Sequence, residues 1–276
     1  FYYFEASNGL GKTRDAIIDS PDNGPVLFES AFDKNEVVLI DSATRTPLMR
    51  FSTGKEWIGG VALSDDGKYL AVKASQHVYL FDTSHPTKPL WEFLCERCRI
   101  GDDIKGGIAI SADGSAIIAA IGEMIVYFSK SSNRPIWRFE GGNAYNVAIS
   151  RDGTLMAAAT AGDASSVGNQ VVLWNSRSKT PLWTYKADSN FHDVAFSEDG
   201  RYLSASTGCP DRRAYLFSVD TNKPVLRSDQ LTGDSPVHRA RVSRDGLFFS
   251  AGSEAGYGAV FLFAKDNKRE VWKFAT

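Results

Sequence analysis

The sequence lacks an excess of either charge: 31 Lys and Arg residues face 33 Asp and Glu residues, which leaves a net charge of −2. The basic balance that favours nucleic acid or an anionic membrane surface is absent, so we expect no nucleic-acid partner. No window holds the roughly 20 apolar residues that a membrane-spanning helix needs. No segment keeps an apolar period of 3.6 over three turns, which argues against amphipathic helices.

Cysteine is scarce, and the odd number of cysteines excludes a disulfide framework; the three are Cys95, Cys98 and Cys209. The chain has no Asn-x-Ser/Thr acceptor for N-glycosylation, which disfavours a secreted eukaryotic protein. It begins with Phe1 rather than Met. We therefore expect a processed chain or a fragment, which leaves room for a signal peptide or membrane anchor that has been lost.

What the sequence does contain is a repeat. The tetrad Ser-x-Asp-Gly occurs at residues 64–67, 111–114, 150–153, 197–200 and 243–246, and a looser copy lies at residues 20–24. Successive copies are 39 to 47 residues apart, and each lies between two apolar runs. Asp hydrogen-bonds to its own backbone to start a turn, and Gly adopts the positive φ that other residues resist. Each tetrad therefore predicts a β-hairpin.

Two further apolar runs follow each hairpin. A third strand is predicted at residues 37–40, 78–81, 125–128, 171–174, 214–217 and 260–263. A fourth strand follows a polar turn and carries Trp91, Trp137, Trp183 or Trp272, with Met49 and Leu226 at the Trp position in the other two repeats. Four β-branched and aromatic strands every 39 to 47 residues is the period of a propeller blade.

These repeats resemble the WD40 and quinoprotein-like (PQQ-like) propeller repeats of prokaryotes. The Ser-x-Asp-Gly turn and the strand end Trp174-Asn175 are similar to WD40 blades, and the stretch from Asp82 to Pro89-Leu90-Trp91 is similar to the tryptophan-docking repeat of quinoproteins. The resemblance covers about residues 15–276. It implies a β-propeller and no single function, because propellers host unrelated activities.

We therefore predict an all-β chain, a β-propeller with six four-stranded blades, and a single propeller domain over residues 15–276. Residues 1–14 are an N-terminal extension or an extra strand. The segment Phe1-Tyr2-Tyr3-Phe4 is strand-like and has no place in the six repeats. It keeps open a seven-bladed alternative, in which it is the stub of a further blade, and self-assembly, in which it adds to the edge of a neighbouring subunit.

Two short motifs suggest ligand chemistry and are better explained otherwise. Residues 6–13 match a relaxed phosphate-binding loop, but no helix and no parallel sheet follows them, so we interpret them as a Gly-rich lead-in. The motif Cys95-Glu96-Arg97-Cys98 lacks the His that follows a c-type haem motif and lacks two further zinc ligands nearby. A local disulfide or two free thiols are the alternatives. We predict no metal, no cofactor and no catalytic residues.

Histidines mark one end of the predicted blades. His192 and His238 occupy matching positions just before the inner strands of the fifth and sixth repeats, beside Asp193 and Arg239, and Tyr145 with Asn146 is the equivalent pair one repeat earlier. His192 and Asp193 could form a general base and its orienting carboxylate, but neighbouring residues of a strand point to opposite faces. No nucleophile motif such as Gly-x-Ser-x-Gly occurs. We interpret this region as a polar mouth of the channel.

Long, dissimilar connections on the same end of the blades favour a binding face. Its candidate partner-binding residues are Trp57, Arg97, Arg99, Tyr145, His192, His238, Arg239 and Tyr257. Trp57 has no equivalent in other repeats and is either an exposed anchor or a buried side chain.

The favoured function is a non-catalytic binding module, an interaction scaffold for a protein partner. The alternative is a structural subunit of an extracellular or surface assembly, such as a filament, layer or membrane complex, built through Phe1 to Phe4. A quinoprotein-like redox enzyme is disfavoured because those dehydrogenases use adjacent cysteines, which this chain lacks. We expect an extracellular or cell-surface location, with a cytoplasmic one as the alternative, and contact with a membrane only through a lost anchor.

Overall fold

The computed structural model describes residues 14–18, 26–31, 35–41, 44, 46–98, 107–140, 143–162, 168–253 and 258–275. The regular elements in these ranges are β-strands, and they form six antiparallel sheets of four strands each. Within the same ranges no helix has the length and apolarity needed to cross a bilayer.

The first three sheets, called blades 1 to 3, follow the chain in order. Blade 1 contains β1 (Arg14–Ile18), β2 (Val26–Ala31), β3 (Glu36–Asp41) and β4 (Pro47–Ser52). Blade 2 contains β5 (Ile58–Leu63), β6 (Tyr69–Ala74), β7 (His77–Asp82) and β8 (Trp91–Leu94). Blade 3 contains β9 (Ile108–Ile110), β10 (Ala116–Ile121), β11 (Met124–Ser129) and β12 (Trp137–Glu140).

The remaining three sheets repeat the arrangement. Blade 4 contains β13 (Ala144–Ile149), β14 (Leu155–Thr160), β15 (Gln170–Asn175) and β16 (Trp183–Lys186). Blade 5 contains β17 (Phe191–Phe196), β18 (Tyr202–Thr207), β19 (Ala214–Ser218) and β20 (Pro224–Arg227). Blade 6 contains β21 (Val237–Val242), β22 (Phe248–Ser253), β23 (Ala259–Ala264) and β24 (Trp272–Ala275).

Strand order within every sheet is the order along the chain. This is the sheet architecture of a six-bladed β-propeller, so the predicted fold class is confirmed. Because consecutive strands are antiparallel, the connection that enters each first strand and the loop between the second and third strands lie at the same end of the blade. Residues 1–13, which include the strand-like Phe1-Tyr2-Tyr3-Phe4 and the Gly-rich residues 6–13, lie outside the described residues.

Packing divides the chain into two compact units: residues 1–122 with 127–136, and residues 123–126 with 137–276. The first has an apolar core between blades 1 and 2, in which Leu39, Val72 and Phe81 are fully buried or nearly so. The second has one core between blades 4 and 5 and another between blades 5 and 6. That residues 15–276 form a single domain stays a prediction.

The Ser-x-Asp-Gly turns have the predicted hairpin geometry. In the blade 3 turn, Ser111 Oγ donates to Asp113 Oδ1 at 2.8 Å and accepts the Ala116 N–H at 3.0 Å, and Asp113 also accepts the Ser115 N–H at 2.9 Å. The other four tetrads repeat this pattern. Each turn therefore satisfies its own polar groups at the base of a buried strand.

The tetrad glycine also serves the neighbouring blade. Gly114 and Gly246 have φ of +70° and +72°, as predicted. The ring of Tyr69 lies so close to Gly114 that a Cβ there would be 2.3 Å from Cδ2, and Tyr202 lies equally close to Gly246, at 2.0 Å. A side chain at either glycine is therefore excluded by backbone conformation and by the tyrosine of the preceding blade.

The fourth-strand tryptophans join adjacent blades. The indole Nε1–H of Trp91 donates to Lys130 O at 2.9 Å, that of Trp137 to Ser176 O at 3.0 Å and that of Trp183 to Val219 O at 2.8 Å. Each acceptor follows the third strand of the next blade, so one contact recurs at three junctions. Trp272 at the equivalent position of blade 6 is 50% exposed, and no hydrogen bond to its indole is formed within the described residues.

We expect Trp137→Phe to lower the free energy of unfolding by about 1–3 kcal/mol, because it removes the indole donor and leaves the Ser176 carbonyl unpaired. Trp272→Phe is the matched control and should change it by less than about 0.5 kcal/mol. Urea denaturation followed by circular dichroism measures both. Equal losses in the two variants would contradict the role of the indole hydrogen bond.

The turn carboxylates predict a pH dependence of stability. Partial burial on its own raises the pKa of Asp152, but the hydrogen bonds from Ser150 and Thr154 outweigh this, and the pKa lies below its ordinary value. The pKa values of Asp66, Asp113, Asp199 and Asp245 are lowered as well. A carboxylate with a lowered folded-state pKa stabilises the protein above its unfolded pKa of about 4, and this contribution disappears as the pH falls through the folded value.

Asp152→Asn should therefore lose less stability than the wild type when the pH is lowered from about 6 to about 3. Urea denaturation at a series of pH values measures the difference. Asp188→Asn, at an exposed position of the same unit, should follow the wild-type curve. If the stability of Asp152→Asn fell with pH as steeply as that of the wild type, the turn carboxylate would not contribute to the pH dependence of stability.

Candidate functional site

Three ring side chains occupy the same position in the inner strands of blades 4, 5 and 6. Tyr145, His192 and His238 are each the second residue of β13, β17 and β21, and each lies where the register with the next strand shifts in a β-bulge. A bulge leaves one residue outside the ladder and redirects its side chain. The inner strand of blade 2 has the same bulge between Ile58 and Gly60, so the extra residue recurs in four described blades and carries a ring in three of them. The sequence repeat did not reveal this extra residue.

The three rings form a contiguous row. Tyr145 stacks on His192 with ring centroids 4.9 Å apart and an interplanar angle of 27°. The His192 and His238 centroids are 4.8 Å apart, and their Nδ1 atoms are 3.1 Å apart, so one imidazole donates its Nδ1–H to the other. All three side chains are partly exposed. The three rings are therefore stacked side by side, and each is in part accessible to solvent.

A buried carboxylate lies directly behind the row. Asp193 has no exposed surface. It accepts the Ala240 N–H at 3.0 Å and a hydrogen bond from Arg241 Nη1 at 2.5 Å, and the side-chain amide of Asn146 donates to its other oxygen. The Arg239 guanidinium forms a further ion pair with Asp193 at 3.6 Å. One carboxylate thus connects the inner strands of three blades.

We call this set of residues the inner-strand cluster: Tyr145, Asn146, His192, Asp193, His238, Arg239 and Arg241. Its guanidinium groups reach solvent, since the side chains of Arg239 and Arg241 are 55% and 44% exposed. The Asp193 carboxylate binds Asn146, Ala240 and the arginines, while His192 stacks on Tyr145. That His192 and Asp193 do not act as a base and its orienting group stays a prediction.

The loop between β18 and β19 holds His192 from one side. A Cβ on Gly208 would lie 2.6 Å from His192 Nε2, which is too close for a nonbonded contact. Any other residue at this position would displace the imidazole. The loop itself is anchored by the buried Asp211, which accepts hydrogen bonds from Thr207 Oγ1 at 2.9 Å, Arg213 Nε at 3.1 Å and Arg227 Nη2 at 3.0 Å. This network gives the edge of the inner-strand cluster a fixed backbone.

The candidates of the first unit lie at one end of blade 2. Trp57 is 47% exposed, which decides between the two alternatives for this residue in favour of the exposed one. Its neighbour Glu56 is buried, accepts the Gln76 N–H at 2.7 Å and pairs with His77 Nδ1 at 2.5 Å. The exposed Arg97 lies in the adjacent turn, whose Cys98 carbonyl accepts the Gln76 side-chain amide at 2.5 Å.

Cys95 and Cys98 close that turn with a disulfide, with an S–S distance of 2.05 Å. Of the two alternatives for this pair, disulfide and free thiols, the structure contains the disulfide. Cys209 is a free, exposed thiol. Within the described residues no group of three or more His, Cys, Asp or Glu side chains is arranged to hold a metal ion.

The structure thus brings together four of the eight candidate residues, Tyr145, His192, His238 and Arg239. Trp57 and Arg97 lie together in the first unit, and Arg99 and Tyr257 lie outside the described residues. Sequence reasoning missed Arg241 and Gly208. Arg241 follows Arg239 by two residues, and the two-residue period of a strand would have placed both on one face. No sequence pattern pointed to Gly208.

No protein-family model matches this chain, and a search of the curated proteins returns no match.

We expect the unreduced protein to show one reactive thiol, that of Cys209, when it is denatured and titrated with a thiol reagent, and three after reduction. The Cys209→Ser variant should show none before reduction and two after it. Three thiols in the unreduced wild type would show that Cys95 and Cys98 are not joined.

Proposed function

We propose that this protein is a non-catalytic binding module and that a protein partner docks on the inner-strand cluster. The observation that carries the proposal is the stacked row of Tyr145, His192 and His238, each of which lies at the β-bulge of its inner strand. The inner strand of blade 2 has the same bulge at Gly59, so the bulge belongs to the repeat and the ring side chains at this position distinguish blades 4, 5 and 6.

The composition of the row supports a protein partner. Flat aromatic rings give a large contact area at little cost in side-chain entropy, and aromatic and Arg side chains are enriched at the centres of protein interfaces. The strands and the anchored loop beside Gly208 hold the rings in place before a partner arrives, which lowers the entropic cost of binding.

The arrangement gives less support to catalysis. The only fully buried carboxylate in the cluster, Asp193, already binds two arginines, an amide and a backbone N–H. It is therefore not available to orient His192 as a general base. We accordingly propose a role in recognition.

The resemblance to WD40-like and quinoprotein-like repeats enters the same proposal. The recurring bond from a fourth-strand Trp to the next blade supports a tryptophan-docked repeat, and the Cys95–Cys98 disulfide supports an extracellular or cell-surface location, since disulfides persist in oxidising compartments.

A random peptide library displayed on phage, selected on the purified wild-type protein, tests the docking site. We expect the selected peptides to bind at least about tenfold more weakly to Tyr145→Ala and His192→Ala, because truncation of a central ring at an interface costs more than about 1.4 kcal/mol. Anisotropy titration of labelled peptides measures the affinities.

His85→Ala is the matched control, since His85 is an exposed histidine in a turn of blade 2. Circular dichroism establishes that each variant is folded. Selection of no peptide, or equal affinities for wild type, His85→Ala and His192→Ala, would overturn the proposal.

A further inference from the structure

We propose that the inner-strand cluster recognises an acidic polypeptide segment, with a side-chain carboxylate of the partner bound by Arg239 and Arg241. This inference rests on the proposed function, and it adds the chemistry of the partner. It comes from three properties of the arginine pair: its charge, its open donors and its rigidity.

The charge of the cluster is unbalanced. Two guanidinium groups share the single carboxylate of Asp193, at 3.6 Å for Arg239 and 2.5 Å for Arg241. Within the described residues neither arginine forms an ion pair with any other acid. Among the described residues one positive charge therefore remains uncompensated, at a surface where both side chains are about half exposed, and such a surface attracts an anionic partner.

The guanidinium groups also have N–H donors that the described residues do not use. Arg239 makes no hydrogen bond with the described residues beyond its ion pair with Asp193. Arg241 uses Nη1, which donates to Asp193 Oδ2 and to the Ala240 carbonyl at 2.8 Å. A guanidinium has five N–H donors in a fixed plane that matches the two oxygens of a carboxylate. The unused N–H groups of both side chains can therefore donate to the oxygens of a carboxylate that arrives from solvent.

The pair is held in place before binding. Asp193 is fully buried and is itself fixed by Asn146 and by the Ala240 N–H, so the ion pairs restrain two long side chains that would otherwise be mobile. Ordering a long side chain on binding opposes association, and here the ion pairs with Asp193 already restrict both side chains.

The occupant is a polypeptide because both arginines belong to the inner strand that also carries one ring of the row. His238 precedes Arg239 in β21, and the row continues through His192 to Tyr145 in steps of 4.8 and 4.9 Å. A small anion would use the arginines and leave the rings uncovered. A chain with acidic side chains engages both. A metal ion is the less suitable ligand, since the two guanidinium groups repel it.

The test uses short fluorescein-labelled peptides with acetylated and amidated ends, in a Gly/Ser/Tyr frame that carries either Glu or Gln at the same positions. We expect the Glu peptide to bind more tightly than the Gln peptide, and its affinity to fall as NaCl is raised from about 50 to about 300 mM, because salt screens exposed charges. Arg239→Gln should weaken binding of the Glu peptide about tenfold.

Arg177→Gln is the control. Arg177 is an exposed arginine in the hairpin between β15 and β16, at the opposite end of blade 4, and its replacement removes the same charge. It should leave the affinity unchanged. A Gln peptide with a free C-terminal carboxylate distinguishes the two sources of carboxylate: if it matches the Glu peptide, the side-chain assignment is wrong.

Equal binding of Glu and Gln peptides, or equal effects of Arg239→Gln and Arg177→Gln, would overturn the inference. The proposed function is tested separately by the phage-selected peptides. If those peptides lose affinity for His192→Ala but are insensitive to Arg239→Gln and to salt, the docking site stands and its preference for acidic segments does not.

Discussion

A four-stranded sheet of this size has two apolar faces and too few residues to cover either, so every blade depends on a neighbour to keep its faces from water. Two kinds of contact between adjacent blades recur in the structure. An indole hydrogen bond joins Trp91, Trp137 and Trp183 to the next blade, and tyrosine rings lie on the turn glycines. Because these contacts fix how adjacent blades meet, they also fix the distance between adjacent inner strands.

The inner-strand cluster exploits that fixed distance. Asn146, Asp193 and Arg239 occupy matching positions in three repeats, and they meet because each inner strand is held against the next. The carboxylate between them is costly to bury, and its amide, backbone and guanidinium partners compensate for its lost hydration. Two arginines are consequently held at a surface where they would otherwise be mobile, and three stacked rings lie on the same inner strands.

The sequence was sufficient for the fold because its signals are local. A serine, an aspartate and a glycine within four residues determine a hairpin, and alternating apolar residues on either side determine its strands. The six blades and the positive φ of the turn glycines followed from this pattern. The sheet order was predictable because short connections between consecutive strands favour antiparallel pairing of those strands.

The site was only partly predictable, because its geometry depends on contacts between repeats. Matching positions pointed to Tyr145, His192, His238 and Arg239. The bulges that redirect the three rings have no sequence signature in a single chain, and the hydrogen bond from Arg241 to Asp193 crosses 48 residues. Whether Trp57 is exposed and whether Cys95 is oxidised depend on packing and redox state, and a residue pattern determines neither.

The fit of Tyr69 on Gly114 and of Tyr202 on Gly246 limits how far these repeats are interchangeable. These turn glycines are required by their own hairpins and also by the tyrosine of the preceding blade. Each contact between blades therefore depends on a glycine in one repeat and a tyrosine in the repeat before it. Blade 3, whose second strand begins with Ala116, offers the following turn no such ring. Recombination that moves one blade would separate matched surfaces, whereas a cut through the middle of a blade would transfer a tyrosine together with the glycine it covers.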